Sequence, residues 1–237
     1  MIDLHIHTTY SDGSCTISNV LKEAQSKKIS TISITDHNTV SAYNELENNE
    51  IRSLYKGNII NGCELLTSYN GELIDVLAYN FDMQLMLSYL NANYLTLEQK
   101  HVKEAEMIKE IYPKSPLYID RSLLYPSLDK TLSAIHDVGG VAFLAHTFAY
   151  SEAIVSELEN IIKEYKIDGF ECYHTTFTKE QTQYLLQFCN DYNLFKSGGS
   201  DFHGENKINH NMGIGDGSLN INEDLIKDWY EQPQIKK

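Results

Sequence analysis

Along Met1–His7 the hydrophobic residues Met1, Ile2, Leu4 and Ile6 are interrupted by Asp3, His5 and His7, a pattern that predicts a short strand. Ile17, Val20, Leu21 and Ala24 then recur at helical spacing and predict a helix over Ile17–Lys28. Apolar runs predict three further strands at Ser30–Asn38, Asn58–Leu65 and Glu72–Asn80. A helical stretch follows from about Met83 to Ile111, and Pro113, Pro116 and Pro126 mark the loop after it. Leu128, Leu132, Ile135 and Val138 share one face of the next helix, which Gly139-Gly140 stops. The rest of the chain alternates: strand Val141–His146, helix Glu152–Tyr165, strand Gly169–His174, helix Lys179–Tyr192, and a last strand with its loop over Leu194–Gly204. Strand-then-helix units repeated in this way predict an α/β fold built on a parallel sheet or barrel. No internal sequence repeat and no low-complexity segment interrupts them.

Composition narrows the picture. A chain of 237 residues, 42% of them hydrophobic, is long enough to bury a large core, and a single domain over 1–237 is expected. Its 33 acidic and 19 basic side chains give a net charge of −14, and basic residues cluster no further than the pairs Lys27-Lys28 and Lys236-Lys237. A broad electrostatic grip on a long nucleic acid or an acidic membrane is therefore not expected. Cys15, Cys63, Cys172 and Cys189 form no CxxC pair, which argues against a zinc ribbon or a disulfide scaffold and fits a reducing cytosol. No signal-like start and no apolar span is visible, so a soluble cytoplasmic protein is expected.

The chemistry lies where the strands end. In parallel α/β folds the loops at the carboxyl ends of strands build the active site. Here the first strand ends with His5 and His7, the second with Asp36 and His37, the third with Glu64, the fifth with His146, and the last is followed by Asp201 and His203. Alternate residues of a strand point the same way, so His5 and His7 can face one ion. Each of these residues has an ordinary alternative: an exposed histidine pair, a helix-capping Asp36, a turn at Asp12-Gly13, a surface Glu64, a core His146. Five strand ends carrying such groups together point to a metal site. Among the other histidines, His136 falls on the polar side of a helix and is expected in solvent, and His210 falls in a loop near the end. His101 and His174 read equally as wall of a cleft or as structural groups.

The runs "DLHIHTTYSDGS", "SITDHNTVSA", "GCEL", "GGVAFLAHTF" and "SGGSDFHG", in this order, resemble the PHP (polymerase and histidinol phosphatase) family of metal-dependent phosphoesterases, from residue 2 to about 204. Within it, the stretch from "GFECYH" to "SDFHG" is most similar to the small bacterial branch that includes nucleoside 3′,5′-bisphosphate phosphatases. The resemblance implies a distorted (β/α)7 TIM-like barrel, with 80–127 as a short helical insertion capping the active-site mouth. It also implies two or three divalent ions, Mn, Fe or Zn. Carried over position by position, His5, His7, Glu64 and Asp201 hold the first ion, Glu64 and His146 the second, and Asp12, His37 and His203 the third. Where many relatives carry a further metal-binding His, this chain has Asp75, whose carboxylate can replace that imidazole as a ninth metal ligand; where nucleotide phosphatases often have a His after the sixth strand, it has Phe177 with His174 nearby.

The expected reaction is hydrolysis of a small phosphomonoester, a nucleotide among the candidates, by metal-activated hydroxide attacking phosphorus. Catalysis is expected from His5, His7, Glu64, Asp201 and His203. Lys100, His101 and His174 are the expected substrate contacts, with Arg121 and Lys196 as further candidate cations. Two other classes compete: a catalytically silent PHP domain whose metals serve structure or partner binding, and a hydrolase of C–N bonds. The full ligand set argues against the first. The second calls for a lysine carbamate, and only Lys196 lies in a motif strand.

Overall fold

The computed structural model describes residues 1–111 and 120–230. Seven strands form one curled sheet in chain order: β1 Ile2–Ile6, β2 Thr31–Ile34, β3 Asn58–Tyr69, β4 Glu72–Tyr79, β5 Val141–Leu144, β6 Gly169–Tyr173 and β7 Phe195–Gly198. The ring is drawn together after β7, where Phe202 bridges Ile6 in parallel and exchanges backbone hydrogen bonds with His5 and His7. The result is a distorted TIM-like barrel with helices packed on its outer face.

One expectation is corrected. The sheet is mixed, because β4 runs antiparallel to both β3 and β5. No helix separates β3 from β4; they are joined at Asn70-Gly71, both at positive φ (50° and 81°), the geometry of a two-residue hairpin turn. This hairpin also lengthens β3 to Tyr69, beyond the predicted end at Leu65.

The helices follow the predicted periodicity with some breaks. On α1 (Ile17–Ser26), Ile17, Val20, Leu21 and Ala24 are all buried, and the Thr16 side chain caps its start. The short α2 (Asn49–Arg52) follows β2. The predicted stretch 83–111 is two helices, α3 (Met83–Asn93) and α4 (Leu97–Ile111), because Thr96 and Gln99 form a capping box that starts a new helix. On α5 (Leu128–Asp137) the predicted apolar face is the buried one, and Gly139 ends the turn at φ +79°. The predicted helix 152–165 is broken into α6 (Glu152–Ser156) and α7 (Leu158–Glu164) at Glu157, whose carboxylate accepts from Tyr69 and Asn70 at the hairpin. The last helix, α8 (Lys179–Asp191), starts from a Thr178–Gln181 capping box.

The core has separate layers. Outside the sheet, Ile6, Ile32 and Ile34 pack on α1, while Leu65, Val76, Leu144 and Phe170 pack with residues of α5 and α8. A third cluster, with Leu4, Ile60, Leu77, Tyr79 and Phe143, plugs the end of the ring away from the candidate site, and Trp229 stacks on Tyr79. Among the described residues no helix is long and apolar enough to cross a membrane.

Candidate metal centre

Each predicted strand end delivers its group to one place. A register irregularity between Asp3 and Ile6 falls at His5 of β1, where bulges serve to re-aim side chains, and His7 follows just past the strand. His5 Nε2 and His7 Nε2 end only 3.1 Å apart. Two imidazole nitrogens facing each other need a proton or a cation between them, since lone pairs repel. Glu64, on the inward face of β3, is the hub. Its Oε2 lies 3.3 Å from His5, 3.1 Å from His7 and 3.2 Å from His37, and its Oε1 lies 2.9 Å from His146 Nε2.

Around the hub the groups fall into sets. Asp201 Oδ1 is 3.5 Å from Nε2 of both His5 and His7. Asp75 reaches the cluster because antiparallel β4 lays it opposite Leu66, with Oδ2 3.6 Å from His146 and Oδ1 3.9 Å from His37. On the loop after β1, Asp12 lies 3.3 Å from His7 Nδ1, 3.2 Å from His203 Nε2 and 3.8 Å from His37 Nε2. His7–Asp12–His37–His203, His5–His7–Glu64 and His37–Glu64–Asp75 each bring donor atoms within 4.8 Å of one another. All nine predicted ligands are therefore together.

The electrostatics call for added positive charge. Burial opposes charge on His7, but its hydrogen bonds to Asp12 and Glu64 outweigh this and lift its pKa to about 9. His5 is raised well above its ordinary value for the same kind of reason, burial being overcome by Glu64, Glu171 and Asp201. Glu64 resists its own burial and stays well below the carboxylate range through His5, His37 and His146. Asp75 goes the other way, pushed up to about 7 by burial and then by the Glu64 charge. Protons on histidine here stand in for cations.

Orphaned atoms sharpen the point. His146 Nδ1, Asp75 Oδ1 and His203 Nε2 are buried without a well-directed hydrogen bond, and such groups are costly unless a ligand satisfies them. Imidazole and carboxylate donors without thiolate suit Mn, Fe or Zn rather than Mg or Ca.

Other predicted residues land elsewhere. Asp36 turns away from the cluster and accepts from Thr8 N, Thr8 Oγ1 and Ser11 Oγ at 2.7, 2.7 and 2.6 Å, so it holds the loop that carries Asp12. Lys100 lines a cavity of about 970 Å³ that opens beside Asp12, His37 and Asp75, with Leu90, Tyr94 and Tyr125 on its far wall. His101 belongs to α4, but its side chain lies outside the described residues, as do Pro113 and Pro116. His174 is buried on the opposite side, its Nε2 3.3 Å from Asp201 Oδ2. Arg121 pairs with Glu104, and Lys196 lies in β7 beside Phe170, neither of them in the cluster. His136 is not simply solvated: it meets Asp168 at 2.8 Å.

Three site groups escaped the sequence reading. His210 Nδ1 lies 3.0 Å from Ser200 O and 3.5 Å from Asp201 Oδ2, and Lys207 Nζ lies 2.7 Å from the same carboxylate oxygen. Glu171 is fully buried beside His5. Its signal was a charge in the middle of the otherwise uncharged run "GFECYH".

A curled α/β sheet that gathers imidazoles and carboxylates at one mouth defines a metal-dependent hydrolase. The chain matches the PHP domain over residues 3–184 and belongs to that family of phosphoesterases. It is similar to a 5′-3′ exoribonuclease of Haemophilus influenzae (24% identity, 85% of this chain and 89% of the relative). It matches the exoribonuclease Rnm of Escherichia coli at 24% identity over 85% and 84% of the two chains. A phosphoribosyl 1,2-cyclic phosphate 1,2-diphosphodiesterase of Eggerthella lenta is 24% identical over 86% and 94%. Among solved structures, a Bifidobacterium adolescentis protein proposed to be a metal-dependent phosphoesterase superposes with a TM-score of 0.71 at 20% identity, over 96% and 94% of the chains. A Chromobacterium violaceum protein described as an amidohydrolase gives 0.69 at 17%, over 86% and 88%; these two likenesses concern the fold.

Proposed function

We propose that this chain works as one PHP domain that hydrolyses a small phosphomonoester with two or three divalent ions, Mn, Fe or Zn. The observation that carries the reading is the convergence of nine imidazole and carboxylate side chains, three of them with buried atoms lacking a hydrogen bond, around the Glu64 hub. His5, His7, Glu64 and Asp201 would hold one ion, Glu64, Asp75 and His146 a second, and Asp12, His37 and His203 a third. Such ions supply Lewis acidity and a water acidic enough to ionise near neutral pH.

The chain's own residues supply the rest. The cavity of about 970 Å³ beside Asp12, His37 and Asp75 is of small-molecule size, which fits a compact substrate. Within the segment 80–127 the described residues act as the cap, with Leu90, Tyr94 and Lys100 from α3, the turn after it and α4 closing the outer wall. Lys100, whose ammonium lies 3.2 Å from Tyr125 Oη, is the cation placed to meet a phosphate there. The acidic surface, net −14, favours a small substrate or a single chain end over a long polymer. A cytoplasmic location follows from this reading.

The test is hydrolysis, read as phosphate release from a panel of phosphomonoesters and nucleoside bisphosphates, as ring opening of a ribose cyclic phosphate, and as nucleotide release from a 5′-phosphorylated oligonucleotide. The purified chain is loaded with Mn, Fe or Zn, and its bound metal is counted by mass spectrometry. Release from at least one small monoester supports the reading. Two or three bound ions with no hydrolysis of any substrate would establish the silent-domain alternative.

A further inference from the structure

Three carboxylates, Asp3, Asp36 and Glu171, are buried around the cluster without facing into it. Asp3 accepts from Ser200 N and Oγ, from Gly213 N and from His5 N, and ties the base of β1 to the loop bearing Asp201. Asp36 holds Thr8 and Ser11. Both bind only backbone and hydroxyl groups. Glu171 differs, because one of its oxygens meets the ring of a metal-site histidine.

Glu171 Oε1 lies 2.8 Å from His5 Nδ1, and its Oε2 accepts from the backbone N–H of His146 at 2.7 Å. The first contact is buried and the second part-buried, and Glu171 itself is fully buried. The first contact makes Nδ1 the protonated nitrogen of His5. It leaves Nε2, 3.1 Å from His7 Nε2 and 3.3 Å from Glu64, with its lone pair toward the cluster. The second contact falls where the chain is strained: His146 has φ +25° and ψ +50°, backbone that a β-carbon disfavours. A hydrogen bond to a charged acceptor offsets that cost and holds His146 where its Nε2 meets Glu64 at 2.9 Å.

From this geometry we infer that Glu171 is a positioning residue that aligns ligands of two different ions at once, His5 by its ring and His146 by its backbone. The inference rests on the proposed metal site. It predicts a selective effect: loss of the Glu171 carboxylate weakens the two ions that share Glu64 and spares the set formed by Asp12, His37 and His203. Gln is the informative replacement, because it keeps the shape but has one oxygen for two donors, so either His5 Nδ1–H or His146 N–H must face an amide NH₂.

The experiment compares the full-length wild type with Glu171→Gln. Each is loaded with Mn²⁺ and dialysed against graded chelator, and retained metal is counted by mass spectrometry alongside a thermal melt of the metal-free chain. Expected is a ~10–100-fold lower affinity for the more tightly coupled ions, one equivalent retained as in wild type, and an apo melting temperature close to wild type. Unchanged metal affinity, or a fall shared equally by all equivalents, overturns the positioning role while leaving the metal site standing. A wild-type chain that retains no ion at all overturns the metal reading and this inference with it. If Glu171→Gln melts far below wild type, Glu171→Asp is the second variant. It keeps the charge but is too short to span both partners, and the same selective loss is required of it.

Discussion

The inner and outer sides of the cluster differ in their access to water. On the inner side His5, His7, Glu64 and Glu171 are at most 1% exposed, and every carboxylate oxygen there faces a nitrogen at close range. On the outer side the Asp12 side chain is 53% exposed and that of His37 31%, and both border the open cavity. Buried charges are expensive unless fully paired, so the inner side demands cations at all times, whereas water can satisfy the outer side. The comparison teaches that one cluster can hold a closed side, whose charges must be paired from within, beside an open side where water or a substrate can meet them.

The largest effect that would break this comparison is at the hub. Glu64→Gln is expected to remove the inner ions together and to lower phosphate release beyond the ~10–100-fold typical of outer partners. Retention of all metal in this variant, measured by mass spectrometry, would refute the hub assignment. Asp12→Asn should act on one side only, with one equivalent lost, the rest retained, and activity down by about 10–100-fold.

Acidity gives a third handle. His7 of the metal-free chain has its pKa at about 9 instead of the ordinary 6.5, so its charged pairing stabilises the fold fully below pH 6.5 and is lost as pH rises through 9. Asp75, raised to about 7, has the same sign, because ionising it against Glu64 costs stability as pH climbs from 3.8 through 7. Metal needs neutral His7 and ionised Asp75, so the loaded chain moves the opposite way. The gap in melting temperature between Mn²⁺-loaded and metal-free protein should widen by ~5–10 °C between pH 6 and 9, as read by calorimetry. A constant gap would detach these groups from metal binding. Smallest is Lys100→Ala, expected to raise KM by about tenfold or less with the metal count unchanged, since its ammonium lies in the half-exposed cavity.

What the sequence disclosed and what it withheld divide along physical lines. The place of the candidate ligands was legible because strand ends bring His5, His7, Glu64 and His146 to one mouth, while their assignment as a set came from the family resemblance. The helix faces of α1 and α5 were legible for the same reason. The direction of β4 was missed although Asn70-Gly71 is the standard dipeptide of a tight hairpin; reading it as a plain gap hid the antiparallel turn. Glu171 shows in the sequence only as a charge inside an uncharged run, and Lys207 not at all. Glu171 owes its role to His5, 166 positions away, and Lys207 owes its role to an Asp201 held in left-handed backbone at φ +55°.

The closing contact between β1 and the segment after β7 has a consequence for how the protein is born. Asp3 and Ser200 bond across 197 positions, and Phe202 completes the ring against Ile6. At ~5–20 residues per second, about 10–40 s of translation separate the first histidines on the ribosome from the aspartate and histidine that complete their set. A nascent chain therefore exposes His5 and His7 before their partners exist, and the full cluster can form only once the segment through His203 has been made.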